Sequence, residues 1–258
     1  MRPALHAEWT KIRTVASPWW LLLGTIAVTV ALSAGVTSVL TSGTVGRAGD
    51  TTKLSLTGVE GGQALVAILA VLIISSEYSS GMIGTTLVAT PRRPAVLAAK
   101  AITLFGVVAV AGTIAVLGSL MAGRLILPGH GFTAARGYPA LSLADGPTLR
   151  AAIGSVLYLI LIALLSLGIA TALRDSATSI GMTLGLLYLF PVLAQVMGNP
   201  HWQRLLQRIG PMSAGLAIQA TADLRGLPIS PWAGLGVLAA WAAVGLLAGG
   251  LVLCRRDA

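Results

Sequence analysis

Long apolar stretches are the feature that most constrains what this sequence can fold into. A helix needs about 20 apolar residues to cross the hydrocarbon of a bilayer, and six stretches approach that length. Only 10% of the 258 residues are charged, whereas soluble domains carry about 25%, so a water-soluble fold would lack a polar surface. We therefore predict an all-α, polytopic membrane protein with six transmembrane helices in a single domain, 1–258. The predicted spans are 19–40, 61–76, 95–123, 149–173, 178–197 and 231–253.

Two segments outside these spans, 1–17 and 199–226, are amphipathic rather than uniformly apolar. In the first, apolar residues recur at helical spacing on one face, at Leu5, Trp9, Ile12 and Ala16. This pattern predicts an N-terminal helix that lies in the membrane interface. The second segment is interrupted by Pro211 and Gly215, which favours short interfacial or re-entrant helices.

Six spans place both chain termini on the same side of the membrane. That side carries nine of the 17 basic residues, and the opposite side carries the other eight. The nine are Arg2, Lys11, Arg13, Arg92, Arg93, Lys100, Arg174, Arg255 and Arg256. They lie in short segments beside span ends, where the positive-inside rule applies most strongly, so we predict cytoplasmic termini.

Several classes of site are disfavoured by residue type and spacing. The histidines lie in three separate segments, at His6, His130 and His201, so no metal-binding cluster is expected. The signatures H-E-x-x-H and G-x-S-x-G are absent, and no lysine follows a glycine as a Walker A loop requires. We therefore expect neither an enzyme nor a chain that hydrolyses ATP by itself. Although the net charge is +9, the basic residues stand singly beside apolar runs, so nucleic acid is not an expected partner.

The predicted spans contain no Asp, Glu, Lys, Arg or His near their centres, where coupled carriers usually place one. The strongest polar groups there are Gln63 and Gln195, which we expect to hydrogen-bond between helices. Glycines spaced four apart permit close helix approach, at Gly181 and Gly185 and at Gly245 and Gly249. Packing within the chain and a homodimer interface are both open for these pairs.

The polar segment between the second and third spans is the most informative part of the chain. Tyr78, Met82 and Thr85 fall at helical spacing, and Glu77 stands where a helix N-terminus would favour negative charge. Pro91 would end the element, so a short cytoplasmic helix over 77–90 is predicted. Such a helix could cap the bundle at the interface or dock another protein.

The same segment resembles the coupling region of ABC-2 type transporter permeases, a family of bacterial ATP-binding cassette exporters. The residues that carry this resemblance are Glu77, Tyr78, Gly81, Met82, Ile83, Thr85, Thr86, Arg92 and Arg93. The opening of the chain is similar to the elbow helix of that family, at Trp9, Lys11, Ile12 and Arg13. The resemblance continues through the segment before the last span to the closing Arg255 and Arg256.

The resemblance implies a permease subunit in a bacterial plasma membrane that pairs with a second copy of itself. Each copy would seat its coupling helix on a separate ATP-binding subunit, which would hold ATP and magnesium, and 199–226 would form extracellular re-entrant helices. The resemblance also implies export, and cavity walls of Ala, Leu, Val and Gly suggest a hydrophobic or amphipathic substrate. A stand-alone carrier or channel, and a non-transporting anchor or immunity protein, are the alternatives.

Overall fold

The computed structural model describes residues 2–45, 49–82, 84, 93–138 and 141–255, and these residues contain no strand. The helices that build the fold follow in chain order as α1 Arg2–Thr14, α2 Ala16–Val39, α3 Val59–Ser79, α4 Arg93–Ile126, α5 Gly146–Leu173, α6 Ser176–Val196, α7 Pro200–Ile209, α8 Pro211–Leu216 and α9 Pro231–Arg255. Within this part of the chain, six helices are long and apolar enough to cross a membrane: α2, α3, α4, α5, α6 and α9. The prediction of a helical chain with six helices long and apolar enough to cross a membrane is therefore confirmed.

The ends of these six helices lie within three residues of the predicted spans. The largest additions are at α3, which continues past Ser76 to Ser79, and at α4, which runs on to Ile126. Only the polar residues Arg174 and Asp175 separate two apolar runs in the sequence, which predicts a tight turn between antiparallel helices. The turn is present: Arg174 adopts a left-handed conformation with φ of 62°, and α6 begins at Ser176. The Gly- and Pro-rich segment 124–147 is predicted to have no regular structure. It is more regular than that, because two 3-10 turns follow α4, Leu127–His130 and Ala134–Arg136.

The bundle has two ends that differ in what they carry. At the end that we call proximal, α1 packs against α4, and Arg93 at the start of α4 donates to the Leu253 carbonyl in the last turn of α9 at 2.8 Å. At the opposite, distal end, Asp50 accepts hydrogen bonds from Thr221 and from the Ala222 amide, which fixes the loop before α9. These contacts place the chain ends together, as six crossings require.

The centre of the bundle is α5, which packs against α3, α4, α6 and α9. Its Tyr158 is fully buried. Close approach to α9 depends on Gly168, because a Cβ there would come within 2.3 Å of the Gly245 backbone carbon. Gly245 and Gly249 therefore serve packing within the chain, whereas Gly181 and Gly185 on α6 face open space.

The predicted 199–226 segment forms two dissimilar helices at the distal end. Helix α7 has no buried residue, whereas α8 is buried along most of its length, including Pro211 and Met212. The Trp241 indole on α9 donates to the Ile209 carbonyl at 2.9 Å, which ties the end of α7 to the bundle. This segment is therefore packed into the helical domain and is not a free loop.

Candidate functional site

Four charged side chains meet at the proximal end and form what we call the ionic cluster: Glu8, Lys11, Glu77 and Lys100. The Lys100 ammonium lies 2.6 Å from Glu77 Oε1 and 3.0 Å from Glu8 Oε2. The Lys11 ammonium lies 2.6 Å from the same Glu77 oxygen and 3.2 Å from Glu8 Oε1. Each cation therefore bridges both carboxylates.

Three helices supply the cluster. Glu8 and Lys11 stand three residues apart on α1, which places them on the same face of that helix. Glu77 lies in the last turn of α3, and Lys100 lies two turns into α4. The cluster therefore holds α1 to the ends of two membrane-spanning helices.

The cluster is shielded from water to different degrees. The Lys100 side chain is 0% exposed and the two glutamates are 7% and 6% exposed, whereas Lys11 is 32% exposed at the rim. Two cations and two anions balance to zero charge, which buried ions need because removing one partner leaves an uncompensated charge. Lys100 also donates to the Ile73 carbonyl at 3.5 Å, so all three of its protons have acceptors.

The pKa of Lys11, at the rim of the ionic cluster, depends on both its burial and its charged partners. Burial lowers the pKa of Lys11, but the hydrogen bond to Glu77 and the charges of both glutamates outweigh burial and leave that pKa raised. A raised lysine pKa means that the ammonium is favoured by folding. Lys11 therefore stays charged, and keeps α1 attached, through neutral and moderately alkaline pH.

The ionic cluster lies near helix ends and not at the centre of the bundle. Helix α4 has 34 residues and is about 51 Å long, which exceeds the roughly 30 Å hydrocarbon core. Lys100 stands only about 10 Å from its start. The Asp, Glu, Lys, Arg and His residues of the described spanning helices all lie within about two turns of a helix end, at Glu60, Glu77, Arg93, Lys100, Arg124, Arg150 and Arg255.

The predicted position of Glu77 at a helix N-terminus is wrong. Glu77 lies near the C-terminal end of α3, which continues to Ser79 because the lysines compensate a carboxylate that the end of a helix would otherwise disfavour. The predicted coupling helix over 77–90 therefore does not begin at Glu77. Gly81 follows with φ of 70°, and Met82 is 47% exposed.

The other predicted coupling residues are distributed as follows. Tyr78 is partly buried, with the Arg174 guanidinium 5.4 Å from the centre of its ring. Arg93 opens α4 and binds the α9 backbone, as described above. Four predicted residues lie outside the described residues: Ile83, Thr85, Thr86 and Arg92. Their predicted role in docking stays a prediction.

Of the predicted elbow residues, all four lie in α1, and Lys11 belongs to the ionic cluster. Trp9 and Arg13 are exposed on that helix. Sequence reasoning missed Glu8 and Lys100 as site residues. The spacing of Glu8 and Lys11 signalled an ion pair, but Lys100 gave no local signal, because its partners are far away in the sequence.

The glutamine predictions had different outcomes. Gln63 is fully buried, accepts a hydrogen bond from the Tyr158 hydroxyl of α5, and places its amide nitrogen 3.2 Å from the sulfur of Met212. It therefore links helices as predicted. Gln195 is exposed on α6, so the same prediction is wrong there.

No group of three or more His, Cys, Asp or Glu side chains that could hold a metal ion occurs in the described part of the chain. The sequence matches no protein-family model and no curated protein. The resemblance to ABC-2 type permeases therefore rests on the motifs quoted above.

Proposed function

We propose that this chain is the membrane-spanning permease subunit of an ATP-binding cassette exporter and moves a hydrophobic or amphipathic substrate. The ionic cluster is the observation that carries the proposal. It joins α1 and α4 to Glu77, the first residue of the segment that resembles the family's coupling region. A force applied to that segment would act on three helices at once.

The strength of the cluster suits this task. Separating a buried ion pair costs about 3–5 kcal/mol, so α1, α3 and α4 would move as a unit at their proximal ends. ATP binding by the partner would draw this unit toward its copy in the second permease. Switching between inward and outward access by rigid-body motion is a common form of conformational change.

The energy for transport is proposed to come from a separate chain. The described spanning helices carry no Asp, Glu, Lys, Arg or His in their central turns, where a coupled carrier would need one. ATP and magnesium would therefore bind to the partner subunit. The open surface beside Gly181 and Gly185 on α6 supports a second copy as the other partner, since small residues permit close helix approach.

A site-specific cross-linking experiment tests this function. A photoreactive amino acid in place of Met82, which is 47% exposed at the proximal end, should form a product with an ATP-binding chain in native membranes. The matched control replaces Trp202, which is 51% exposed at the distal end, and should give no such product. A cross-link to an ATP-binding chain from Trp202, or its absence from Met82, would contradict the proposal.

A further inference from the structure

A cavity of about 330 Å³ opens beside the ionic cluster, between α1, α2 and α3. One part of its lining is charged and is formed by Glu8, Lys11 and Glu77. The remainder is mostly apolar and includes Leu21, Leu69, Leu72 and Ile73. The cavity therefore combines a charged end with a hydrophobic wall, and its volume equals that of roughly eleven water molecules.

The charged lining has hydrogen-bonding capacity that the described residues leave unused. Glu77 lines the cavity, and its second carboxylate oxygen, Oε2, is shielded from water and has no hydrogen-bond partner among the described residues. A buried acceptor without a donor costs about 1–3 kcal/mol or more when it is charged, so this oxygen favours a ligand that can donate to it. Lys11 uses two of its three protons on the glutamates, which leaves one N–H for an acceptor on the same ligand.

We propose that this cavity binds a phospholipid whose head group carries a primary ammonium next to its phosphate. A small rotation of the Glu77 carboxylate turns the shielded Oε2 toward the cavity, where the ammonium donates to it. The phosphate accepts from Lys11, and the first part of an acyl chain lies along Leu69 and Leu72. This inference does not depend on the transport function proposed above. It requires only that the chain lies in a bilayer.

The charge of the site selects among the common head groups. The ionic cluster is neutral overall, so a zwitterion fits it better than a lipid with net negative charge. A quaternary ammonium has no N–H and leaves Glu77 Oε2 without a donor, whereas a primary ammonium supplies one. Phosphatidylethanolamine therefore fits better than phosphatidylcholine or phosphatidylglycerol.

The position of the cavity agrees with a lipid ligand. It lies at the proximal end, beside the start of α2, where Trp19 and Trp20 are exposed. Exposed tryptophans at the end of a spanning helix are typical of the head-group level of a membrane. A lipid entering from the bilayer would reach the charged lining without leaving that level.

Native mass spectrometry of the full chain in detergent tests the proposal. The protein is mixed with equal amounts of phosphatidylethanolamine, phosphatidylcholine and phosphatidylglycerol that have the same acyl chains. We expect phosphatidylethanolamine to be retained roughly tenfold more than phosphatidylcholine, because one charge-assisted hydrogen bond changes the affinity by about tenfold or more. Equal retention of the two, or preferential retention of phosphatidylglycerol, overturns the proposal.

A matched pair of variants localises the binding. Ser76→Trp fills the cavity from an exposed position whose hydroxyl bonds only to the carbonyl of Leu72 in its own helix. Ser38→Trp adds the same side chain at an exposed position at the distal end of α2. The first variant should lose the ethanolamine lipid and the second should keep it; equal retention by both contradicts the site. The comparison of lipids on the wild type stands without either variant.

Discussion

Replacing Lys100 with methionine tests how strongly the ionic cluster holds the proximal end together. Methionine is unbranched and close to lysine in length, so the change removes the ammonium with little loss of packing. Contacts of 2.6 Å to Glu77 and 3.0 Å to Glu8 are lost, and two carboxylates stay buried with a single cation between them. We expect the free energy of unfolding to fall by about 3–5 kcal/mol, the usual cost of breaking a buried pair on one side.

Two further variants show whether this loss comes from burial of charge. Lys11→Met removes a cation that makes the same kind of contacts but is 32% exposed, so water can replace part of its role and the loss should be about 1–2 kcal/mol. The double variant Glu77→Gln with Lys100→Met leaves a neutral Glu8–Lys11 pair. It should be less destabilising than the sum of its single changes by about 1–3 kcal/mol.

The assay is equilibrium unfolding in mixed micelles, followed by the fluorescence of the six tryptophans. A loss of less than about 1 kcal/mol in the free energy of unfolding of Lys100→Met, or a loss no larger than that of Lys11→Met, would contradict this role of Lys100. The buried ion pair would then contribute no more than an exposed one. Additive effects in the double variant would also show that Glu77 and Lys100 do not interact as described.

Three other predictions follow from single contacts. The pKa of Lys11 in the folded protein is raised above its ordinary 10.5, so its stabilising contribution is full below pH 10.5 and is lost as the pH rises through the higher pKa of the folded state. Protease access to α1, measured from pH 8 to 12, should therefore increase only above about pH 10.5. Gly168→Ala should destabilise by at least about 2 kcal/mol because its Cβ meets α9 backbone, whereas Gly181→Ala in open space should be neutral or slightly stabilising in the same unfolding assay. A membrane-impermeant maleimide should label exposed Cys254 only from the cytoplasmic side and Arg225→Cys, in a Cys254→Ser background, only from the outside. Labelling of both positions from one side would contradict the crossing of the membrane by α9.

The spans were predictable because a single physical requirement dominates them. A run of apolar residues long enough to cross hydrocarbon has few alternatives to a helix, so α5 and α9 were found to within three residues at each end. The turn at Arg174 was equally clear, since two polar residues between two such runs leave room only for a reversal. These features depend on neighbours in the sequence.

The ionic cluster could not be predicted from neighbours in the sequence. Lys100 contacts Glu8, which lies 92 positions earlier, and no residue near Lys100 in the sequence indicates that pairing. The wrong prediction for Glu77 has the same origin. A carboxylate after an apolar run suggests the start of a new helix, but the lysines of α1 and α4 that contact Glu77 allow α3 to continue past it. Likewise, spacing alone did not separate the packed Gly245 from the open Gly181.

The most direct test of the proposed function is affinity purification of the tagged full chain in mild detergent, followed by identification of co-purifying chains and an ATPase assay. The wild type should retain a chain with a Walker A motif and hydrolyse ATP. Glu77→Gln should lose this chain or its activity, whereas Glu60→Gln, which changes the same residue type at the opposite end of α3, should keep both. A wild-type protein that purifies alone and hydrolyses no ATP would contradict the assignment as a permease subunit.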